Sequence, residues 1–391
     1  MTEQIIHIAN DEKFINAAIY QFNKIAPGRN SFHIVLKVGE NKTKHVQLAN
    51  TVKILENSTV SRKAFIKSIP SGSIVVFHSL SSRFHEISYS LPKDCIAVWF
   101  CFGYEVYNDV RFTSADEVLE PLTKEKFYIP ERRDRLQEFK DLLKPLARNF
   151  GIRIALTGNE KKQHAIKRIN YLGSSFDEEF QAVSKKIKSR KQFFSFWYYP
   201  LEQMVAISKT YNTEKNVLWI GNSGTMSGNH LDVYETLKIC DLSKFTHVIS
   251  PLSYGDKEYI DEIFKLGNTY FGSKYMPLLE FMPLEQYNSH LERAEIAIFN
   301  NKRQQALGNI IALLWMGCKV YLNPKNPIYL FFKRKGFRVF DFSNEFNSPS
   351  SLEGISAEEK KLNQKLLFTL FREEVLLDDL KNQVNSLTLA K

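Results

Sequence analysis

The sequence of 391 residues is short of glycine, proline and cysteine, and each shortage excludes a class of protein. With 17 glycines and 13 prolines it is neither collagen-like nor a flexible linker. At roughly 100–200 residues per domain its length predicts two or three domains, and a hydrophobic fraction of 43% excludes a disordered chain. The cysteines lack a CxxC pair, which favours reduced thiols over a disulfide framework. They are Cys95, Cys101, Cys240 and Cys318.

No hydrophobic run of this sequence is long enough to span a membrane. The longest, Ile310–Leu322, is interrupted by Lys319 and is shorter than the roughly 20 apolar residues that a span requires. The first residues show no basic start followed by an apolar core, so we expect no signal peptide. Together with the unpaired cysteines, these features predict a cytoplasmic protein.

The usual metal-binding and nucleotide-binding motifs are also missing. There is no Asp-x-Asp, no HExxH and no cluster of His and Cys, which argues against a divalent-ion site. The sequence has neither a Walker loop nor a GxGxxG fingerprint. Zinc-finger and helix-turn-helix signatures are absent as well. We therefore expect no metal, no cofactor and no nucleic-acid partner.

Positive charge is plentiful and is concentrated in one region. The chain has 53 Lys and Arg against 43 Asp and Glu, and residues 120–191 alone have 18 against 10. Within 124–192 the apolar residues recur at helical spacing, which predicts a basic helical region. Its cations either form solvated faces with ion pairs, or contact an anionic membrane or a lipid phosphate. Both interpretations remain open.

Short apolar runs alternate with helical patterns in both halves of the chain, as is typical of parallel sheets covered by helices on both faces. The predicted strands of the first half are Ile5–Ala9, Phe32–Val38, Ser73–His78, Cys95–Phe100, Ile152–Thr157 and Phe193–Pro200. Those of the second half are Val217–Ile220, His247–Ser250, Leu278–Phe281, Ile296–Phe299 and Lys319–Leu322. The pattern predicts α/β domains at 1–205 and 206–345. A helical segment, 357–387, would cross back over another domain within 346–391.

Three loops of the second half are candidates for binding a phosphate-containing ligand. In Gly221–Gly224, which follows a strand, the glycines would let backbone N–H groups approach an oxyanion. The loop before the helix at Gly308 contains Arg303, whose guanidinium could hold a diphosphate without a metal. Because parallel strands end at the same edge of a sheet, both loops would share an edge with Ser250–Gly255. Tight turns and capped surface loops without a ligand are the alternatives.

Glu105 and His78 are the candidate catalytic residues. Gly103 lets the chain turn after a buried strand, which would leave Glu105 at the edge of the sheet and facing the cleft. A carboxylate there could deprotonate an acceptor hydroxyl. The alternatives are an exposed loop glutamate and, for His78, a structural histidine at a strand end.

Several of these motifs resemble the bacterial TDP-N-acetylfucosamine:lipid II N-acetylfucosaminyltransferase family, whose members are 4-alpha-L-fucosyltransferase-like. Order and spacing are kept between residues 217 and 330. The motifs are Val217–Gly224 with Asn229-His230, Ser250–Gly255, Leu279–Leu284 with Tyr287, Arg303–Gln305 with Gly308, and Asn323 with Asn326-Pro327. In the first half the match thins to His78 and to Gly103-x-Glu105-x-Tyr107, where the family has Asp in place of Glu105.

The resemblance implies a metal-independent GT-B glycosyltransferase with two Rossmann-like domains that face a cleft. It places a nucleotide-sugar donor in the C-terminal domain and an acceptor in the N-terminal domain. The implied donor-binding residues are Gly221, Asn222, Ser223, Gly224, Tyr254, Phe281, Met282, Leu284, Arg303, Gln304, Gln305, Gly308 and Asn309. Glu105 or His78 would serve the acceptor.

The implied function is transfer of an amino-deoxy sugar (Fuc4NAc-like) from a TDP-sugar to a lipid-linked or surface saccharide during synthesis of a bacterial envelope polysaccharide. Such an enzyme is peripheral on the cytoplasmic face of the inner membrane, which region 124–192 would contact. A sugar-nucleotide epimerase of similar architecture is an alternative. A non-catalytic protein that binds anionic polymers or membranes is another.

Overall fold

The computed structural model of the chain describes residues 4–130, 143–144, 148, 155–211 and 214–389. Two parallel β-sheets, each covered by helices on both faces, are followed by two C-terminal helices. The α/β class predicted from the alternating pattern is therefore confirmed.

The first unit is built on a sheet with the strand order β3-β2-β1-β4-β5-β6-β7. Its strands are β1 (Ile5–Ala9), β2 (Asn30–Leu36), β3 (Val52–Glu56), β4 (Ile74–His78), β5 (Ile96–Phe100), β6 (Tyr171–Ser174) and β7 (Gln192–Ser195). All pairings are parallel, and the order reverses between β1 and β4. Such a switch point opens a crevice at the carboxyl ends of the strands.

The described residues of the first half of the chain also form eight helices. They are α1 (Ile15–Ile25), α2 (Thr59–Ser68), α3 (His85–Tyr89), α4 (Tyr104–Tyr107), α5 (Pro121–Phe127), α6 (Gly158–Arg168), α7 (Asp177–Ile187) and α8 (Leu201–Met204). Helix α6 begins at a capping box, in which Thr157 and Glu160 satisfy each other's backbone N–H groups. Strand β1 is buried at all five positions because helices cover both faces of a parallel sheet.

The second unit has a sheet with the strand order β10-β9-β8-β11-β12-β13. Its strands are β8 (Val217–Ile220), β9 (His247–Pro251), β10 (Tyr275–Leu278), β11 (Ala294–Phe299), β12 (Lys319–Leu322) and β13 (Phe340–Asp341). Its helices are α9 (His230–Leu237), α10 (Lys257–Phe271), α11 (Leu284–Glu292), α12 (Leu307–Met316) and α13 (Pro327–Arg334). The units meet where α7 packs on α13, with Phe176 stacked on Phe331 at 4.7 Å between ring centroids.

Some predicted strand positions are wrong. The strand predicted at Leu278–Phe281 ends at Leu278, because Pro283 caps α11 and the residues before it form an exposed loop. The strand predicted at Phe193–Pro200 ends at Ser195. Of the strand predicted at Ile152–Thr157, positions 152–154 lie outside the described residues, and the remaining positions lead into the N-cap of α6.

Three strands were not predicted, namely β3, β6 and β13. Strand β3 lies at the edge of its sheet and buries only Leu55, so its sequence lacks an apolar run. Strand β6 lies between α6 and α7, inside the region 124–192 that was predicted to be helical. Its sequence, YLGS, has only two apolar residues in a row, so it lacks the continuous apolar run by which buried strands are recognised.

The C-terminal segment crosses back to the first unit, but as two helices rather than one. Helix α14 (Ala357–Phe371) packs on α12, and helix α15 (Glu373–Leu389) packs on α1 and β7. The break lies at Arg372, whose backbone is extended with ψ of 151°. Because α14 and the start of α15 pack into the core of the second unit, whereas Leu380, Val384 and Leu387 pack into that of the first, the chain changes direction between the helices.

Residues 115–127, here called the strap, belong to the first half of the chain but pack on the second unit. Lys302 donates from Nζ to the carbonyl oxygen of Leu119 at 2.6 Å. The carboxylate of Asp232 accepts from the backbone N–H of Thr123 at 3.0 Å and also from its hydroxyl. The strap is therefore a second connection between the two units. Among the helices of the described ranges, none is both long and apolar enough to cross a membrane.

Candidate active site

The loops that follow β8, β9 and β11 meet at one edge of the second sheet. Gln305 accepts from the hydroxyl of Ser227 at 2.8 Å and donates to the hydroxyl of Thr225 at 3.3 Å. Gly224 and Gly255 pair through an isolated β-bridge, which joins the first two loops. The structure thus brings together the loops that the sequence indicated.

The glycines of the first loop serve internal packing, which corrects the expectation that their amides reach an anion. The Gly221 N–H donates to the backbone carbonyl of Ile298 at 2.9 Å, and the Gly224 N–H donates to the backbone carbonyl of Tyr254 at 2.8 Å. A Cβ on Gly224 would collide with the side chain of Ile260. Glycine is required here because neighbouring groups approach the backbone closely.

The backbone N–H groups of Asn222 and Ser223 have no acceptor in the described part of the chain. The side-chain oxygen of Asn222 is buried and also lacks a partner there, while its amide group donates to the Tyr254 hydroxyl at 3.2 Å. These unsatisfied groups, rather than the glycine amides, are available to a ligand.

The adjacent cations Lys302 and Arg303 differ in their contacts. Lys302 donates to the carbonyl of Leu119 in the strap and lies 3.4 Å from the Glu120 carboxylate. The Arg303 guanidinium is buried and forms no hydrogen bond or ion pair with any described residue. It lies over the ring of Tyr107, at 5.8 Å from the centroid. Burial lowers the pKa of the Arg303 guanidinium, which indicates that its charge is poorly compensated.

A cavity of about 520 Å³, here called the donor pocket, opens beside these loops. Seven of the predicted donor residues line it: Asn222, Tyr254, Phe281, Met282, Leu284, Gly308 and Asn309. The rings of Tyr254 and Phe281 are both exposed and parallel within 8°, with 6.0 Å between their centroids. Such a pair offers stacking faces for a planar ligand. Lys13 of the first unit lies 5.4 Å from the Phe281 ring, so both units border the pocket.

A second cavity of about 230 Å³, here called the cleft cavity, is lined by both units. Gln304 and Gln305 line this cavity, with Ala306 and Leu307. From the first unit it is lined by Phe14, Phe100, Cys101, Phe102, Gly173, Ser174, Ser175, Glu179, Phe196 and Tyr198. The predicted donor residues are therefore divided between two cavities. Gly221, Ser223, Gly224 and Arg303 line neither of the two.

Glu179 of the cleft cavity was missed by the sequence analysis. It lies in the first turn of α7 and is only 2% exposed. Its Oε2 accepts a hydrogen bond from the Tyr107 hydroxyl at 3.2 Å. Burial raises the pKa of Glu179 to about 7, which the Tyr107 hydrogen bond and the Arg303 charge partly oppose. In the sequence it is one of three acidic residues at a helix start, a pattern that ordinarily marks only a helix N-terminus.

The Glu105 carboxylate is turned inward, which corrects the expectation that it faces the cleft. Glu105 is 5% exposed, and its Oε1 accepts from Trp99 Nε1 at 3.2 Å and from the Leu80 N–H at 3.1 Å. Its Oε2 is buried without a partner among the described residues, and burial raises the pKa of the carboxyl. Gly103, at φ of 87°, is the N-cap of α4, and Glu105 lies in the first turn of this helix. Glu105 therefore holds together the loops after β4 and β5.

His78 lies behind Tyr198 in a buried chain of hydrogen bonds. Asn30 donates to two backbone carbonyls, so its side-chain oxygen must accept from His7 Nε2 at 3.3 Å. His7 Nδ1 then accepts from His78 Nε2 at 3.1 Å, and His78 Nδ1 accepts from the Tyr198 hydroxyl at 2.7 Å. Burial lowers the pKa of His78 to about 3. His78 therefore orients Tyr198, which lines the cleft cavity.

Several cations of region 124–192 are engaged within the protein. Lys162 is buried and lies 2.6 Å from the Asp109 carboxylate, and Lys191 donates to the carbonyl of Ile169 at 2.6 Å. Further contacts of this kind are made by Lys124 with Asp116, Arg148 with Glu160, Arg168 with Pro92 and Lys186 with Glu117. In the described residues no group of three His, Cys, Asp or Glu is arranged to hold a metal ion.

Comparisons with known proteins agree with this architecture. Residues 163–353 match the family described as 4-alpha-L-fucosyltransferase, glycosyl transferase group 56. A sucrose-phosphate synthase from Thermosynechococcus elongatus has a TM-score of 0.62 at 10% identity, covering 100% of both chains. A UDP-forming alpha,alpha-trehalose-phosphate synthase from Burkholderia vietnamiensis has a TM-score of 0.62 at 7% identity, covering 100% of this chain and 99% of that one. No curated protein sequence matches significantly. The structural likeness shows the GT-B fold.

Proposed function

Because this chain is a fucosyltransferase-like glycosyltransferase of the GT-B fold, we propose that it transfers an amino-deoxy sugar (Fuc4NAc-like) from a TDP-sugar. The proposed acceptor is a hydroxyl of a lipid-linked or surface saccharide in bacterial envelope polysaccharide synthesis. The match to 4-alpha-L-fucosyltransferases supports the sugar class, and the motifs of residues 217–330 support the donor.

The observation that carries this proposal is the buried guanidinium of Arg303, which has no hydrogen-bond or ion-pair partner among the described residues. Its charge interacts with Glu179 of the cleft cavity and with Tyr254 of the donor pocket, so it is near groups of both cavities. A buried cation without an anion is costly, and a diphosphate would supply the missing partner. When the sugar–phosphate bond breaks, negative charge grows on the leaving nucleotide, and this guanidinium would stabilise it.

The donor pocket fits the remainder of a nucleotide-sugar. We propose that the nucleobase stacks against Tyr254 and Phe281. The backbone N–H groups of Asn222 and Ser223 would donate to the diphosphate. Gln304 and Gln305 would contact the transferred sugar from the cleft cavity. Met282, Leu284, Gly308 and Asn309 would complete the pocket wall.

The acceptor side is proposed to lie at the switch point of the first sheet. A cavity of about 530 Å³ there is lined by charged side chains of both signs, the cations Lys42, Lys44 and Arg83 and the carboxylates Asp11, Glu12 and Glu40. The side-chain oxygens of Asn10 and Ser81 are buried beside it without partners in the described part of the chain. Carboxylates, cations and unpartnered oxygens together suit the hydroxyls of a saccharide, and the cations are proposed to meet the phosphates of a lipid carrier. Binding to the cytoplasmic face of the inner membrane through region 124–192 is part of this proposal.

The experiment combines binding with transfer. The protein is heated with TDP, UDP, GDP or ADP, and TDP is expected to raise its melting temperature most. TDP-Fuc4NAc is then supplied with lipid-linked saccharide in anionic vesicles, and we expect a glycosylated lipid, TDP release and co-sedimentation of the enzyme with the vesicles. EDTA should leave the rate unchanged, because a guanidinium is proposed to neutralise the diphosphate.

Three results would contradict the proposal. If no nucleoside diphosphate stabilises the protein, the donor assignment is wrong. If a TDP-sugar isomerises without an acceptor, the enzyme is an epimerase. If salt-sensitive vesicle binding occurs with neither nucleotide binding nor transfer, the chain is a non-catalytic membrane-binding protein.

A further inference from the structure

We propose that Glu179 is the catalytic base of this enzyme and takes the proton from the acceptor hydroxyl during sugar transfer. The inference rests on the proposed function, because it needs a donor diphosphate on Arg303 and an acceptor in the cleft. It assigns the role to a residue that lies outside both candidates indicated by the sequence.

The first argument is placement. Glu179 follows β6 at the carboxyl edge of the first sheet and lines the cleft cavity opposite Gln304 and Gln305. The cavity therefore has the carboxylate on the acceptor side and the loop of Arg303 on the donor side. A hydroxyl that attacks a sugar held by the second unit must enter between these two walls.

The second argument is the gap between Glu179 and Arg303. Their charges interact, yet they form no ion pair within 4.0 Å. Tyr107 lies between them, donating to the Glu179 carboxylate and presenting its ring to the guanidinium. Each charge therefore stays available to its own substrate group, the guanidinium to the diphosphate and the carboxylate to the hydroxyl.

The third argument is that the other basic groups nearby are already engaged. Glu105 accepts from two backbone N–H groups and an indole through Oε1, and its Oε2 is enclosed. The Tyr198 hydroxyl directs its proton inward to His78. The groups that act on the Glu179 charge are Tyr107, Arg303, Lys186, Glu105 and Cys101. Of these neighbours and Glu179 itself, only Glu179 is a carboxylate that lines the cavity.

The chemical step balances. The acceptor oxygen attacks the anomeric carbon while its proton passes to the Glu179 carboxylate, and the bond from that carbon to the diphosphate oxygen breaks. The nucleoside diphosphate leaves with the bonding electron pair. Glu179 afterwards returns its proton to water, so the enzyme ends in its starting state.

The test compares Glu179→Gln with Asp177→Asn, a change in the same first turn of α7 that does not touch the cavity. Loss of a general base typically lowers the rate ~100-fold or more. We expect Glu179→Gln to lose transfer by at least that factor while its melting-temperature shift with TDP stays as in the unchanged protein. Asp177→Asn should transfer within twofold of the normal rate.

A second variant gives a readout that a merely structural role would not move. The transfer rate of the unchanged enzyme should rise with pH through about 7, because the base must be deprotonated. Tyr107→Phe removes the hydrogen bond that favours the ionised carboxylate, so the midpoint of this profile should move to higher pH. The comparison of these two pH profiles tests the inference even if Glu179→Gln fails to fold.

Four results would overturn the inference. Glu179→Gln could keep more than a third of the normal transfer rate. It could instead lose TDP binding in proportion to transfer, which would mean that Glu179 only positions the donor. The Tyr107→Phe profile could also keep its midpoint. Those three leave the proposed function standing, whereas failure of the unchanged protein to bind any nucleoside diphosphate removes both.

Discussion

Lys302 and Arg303 show at the scale of single residues how neighbouring cations acquire different roles. Lys302 is bonded to the strap and lies beside Glu120, so its charge contributes to stability. Arg303 is equally buried but has no anionic partner among the described residues. A buried charge without a partner is typical of a site that binds a ligand of opposite charge.

Replacing each cation by methionine should therefore have opposite effects. Lys302→Met leaves the Leu119 carbonyl and the Glu120 carboxylate without their cation, and we expect a loss of about 1–3 kcal/mol in the free energy of unfolding. Arg303→Met removes an uncompensated buried charge, so its stability should be unchanged or higher while TDP no longer raises the melting temperature.

Denaturant titration and thermal melts with and without TDP measure both effects. Lys302→Met should still respond to TDP, since its charge is engaged elsewhere. Equal loss of stability in the two variants would show that Arg303 is held by contacts like those of Lys302.

At the scale of elements, the strap is tied to the second unit by Asp232 at the start of α9. Its carboxylate accepts from the backbone N–H groups of Leu122 and Thr123, in the first turn of α5. The side chain of one helix thus caps another helix from a distant part of the sequence. The same strap receives Lys302, so it supports the loop that contains Arg303.

Asp232→Ala should loosen the strap. We expect a loss of about 1–2 kcal/mol, the usual cost of removing a helix cap, and faster hydrogen exchange at Leu122 and Thr123. Asp261→Ala, at an exposed position of α10, is the control and should leave both unchanged. Equal exchange in the two variants would mean that other contacts hold the strap.

At the scale of the whole molecule, buried histidines determine the response to acid. Burial lowers the pKa of His33, His85 and His230 to about 4 and that of His78 to about 3, and it lowers the pKa of His7 as well. Below about pH 6.5 the unfolded chain binds protons at these five sites and the folded chain does not, so stability falls as pH falls. The raised pKa of Glu105 and of Glu179 has the opposite effect, because the folded chain binds protons at these two sites more readily than the unfolded chain. The five histidines outnumber them.

We therefore expect the free energy of unfolding to decrease steadily between pH 6.5 and pH 4, as measured by urea titration at several pH values. His33→Gln should make this decrease shallower, because one such site is removed. His164→Gln, at an exposed position of α6, is the control. Equal stability at pH 7 and pH 5 would contradict the assignment.

A strand could be recognised from the sequence when most of its residues are buried and apolar. Strands β1, β8 and β12 were predicted with the bounds observed, because buried parallel strands read as continuous apolar runs. Strands β3 and β6 were missed because neither is a continuous apolar run: β3 lies at an edge and buries only Leu55, and half of β6 is Gly173-Ser174. The docking of the strap could not be predicted, since it depends on polar contacts between residues over 100 positions apart.

The order of apolar runs, glycines and loop residues was sufficient to indicate two α/β units and the loops that meet beside the donor pocket, because these features follow from local periodicity. Only the tertiary structure decided which polar groups are free to act. Burial and hydrogen bonding are set by distant neighbours, which engage Lys302, Glu105 and His78 within the protein. The same packing leaves Arg303 buried without an anionic partner among the described residues, and it places Glu179 in the wall of the cleft cavity.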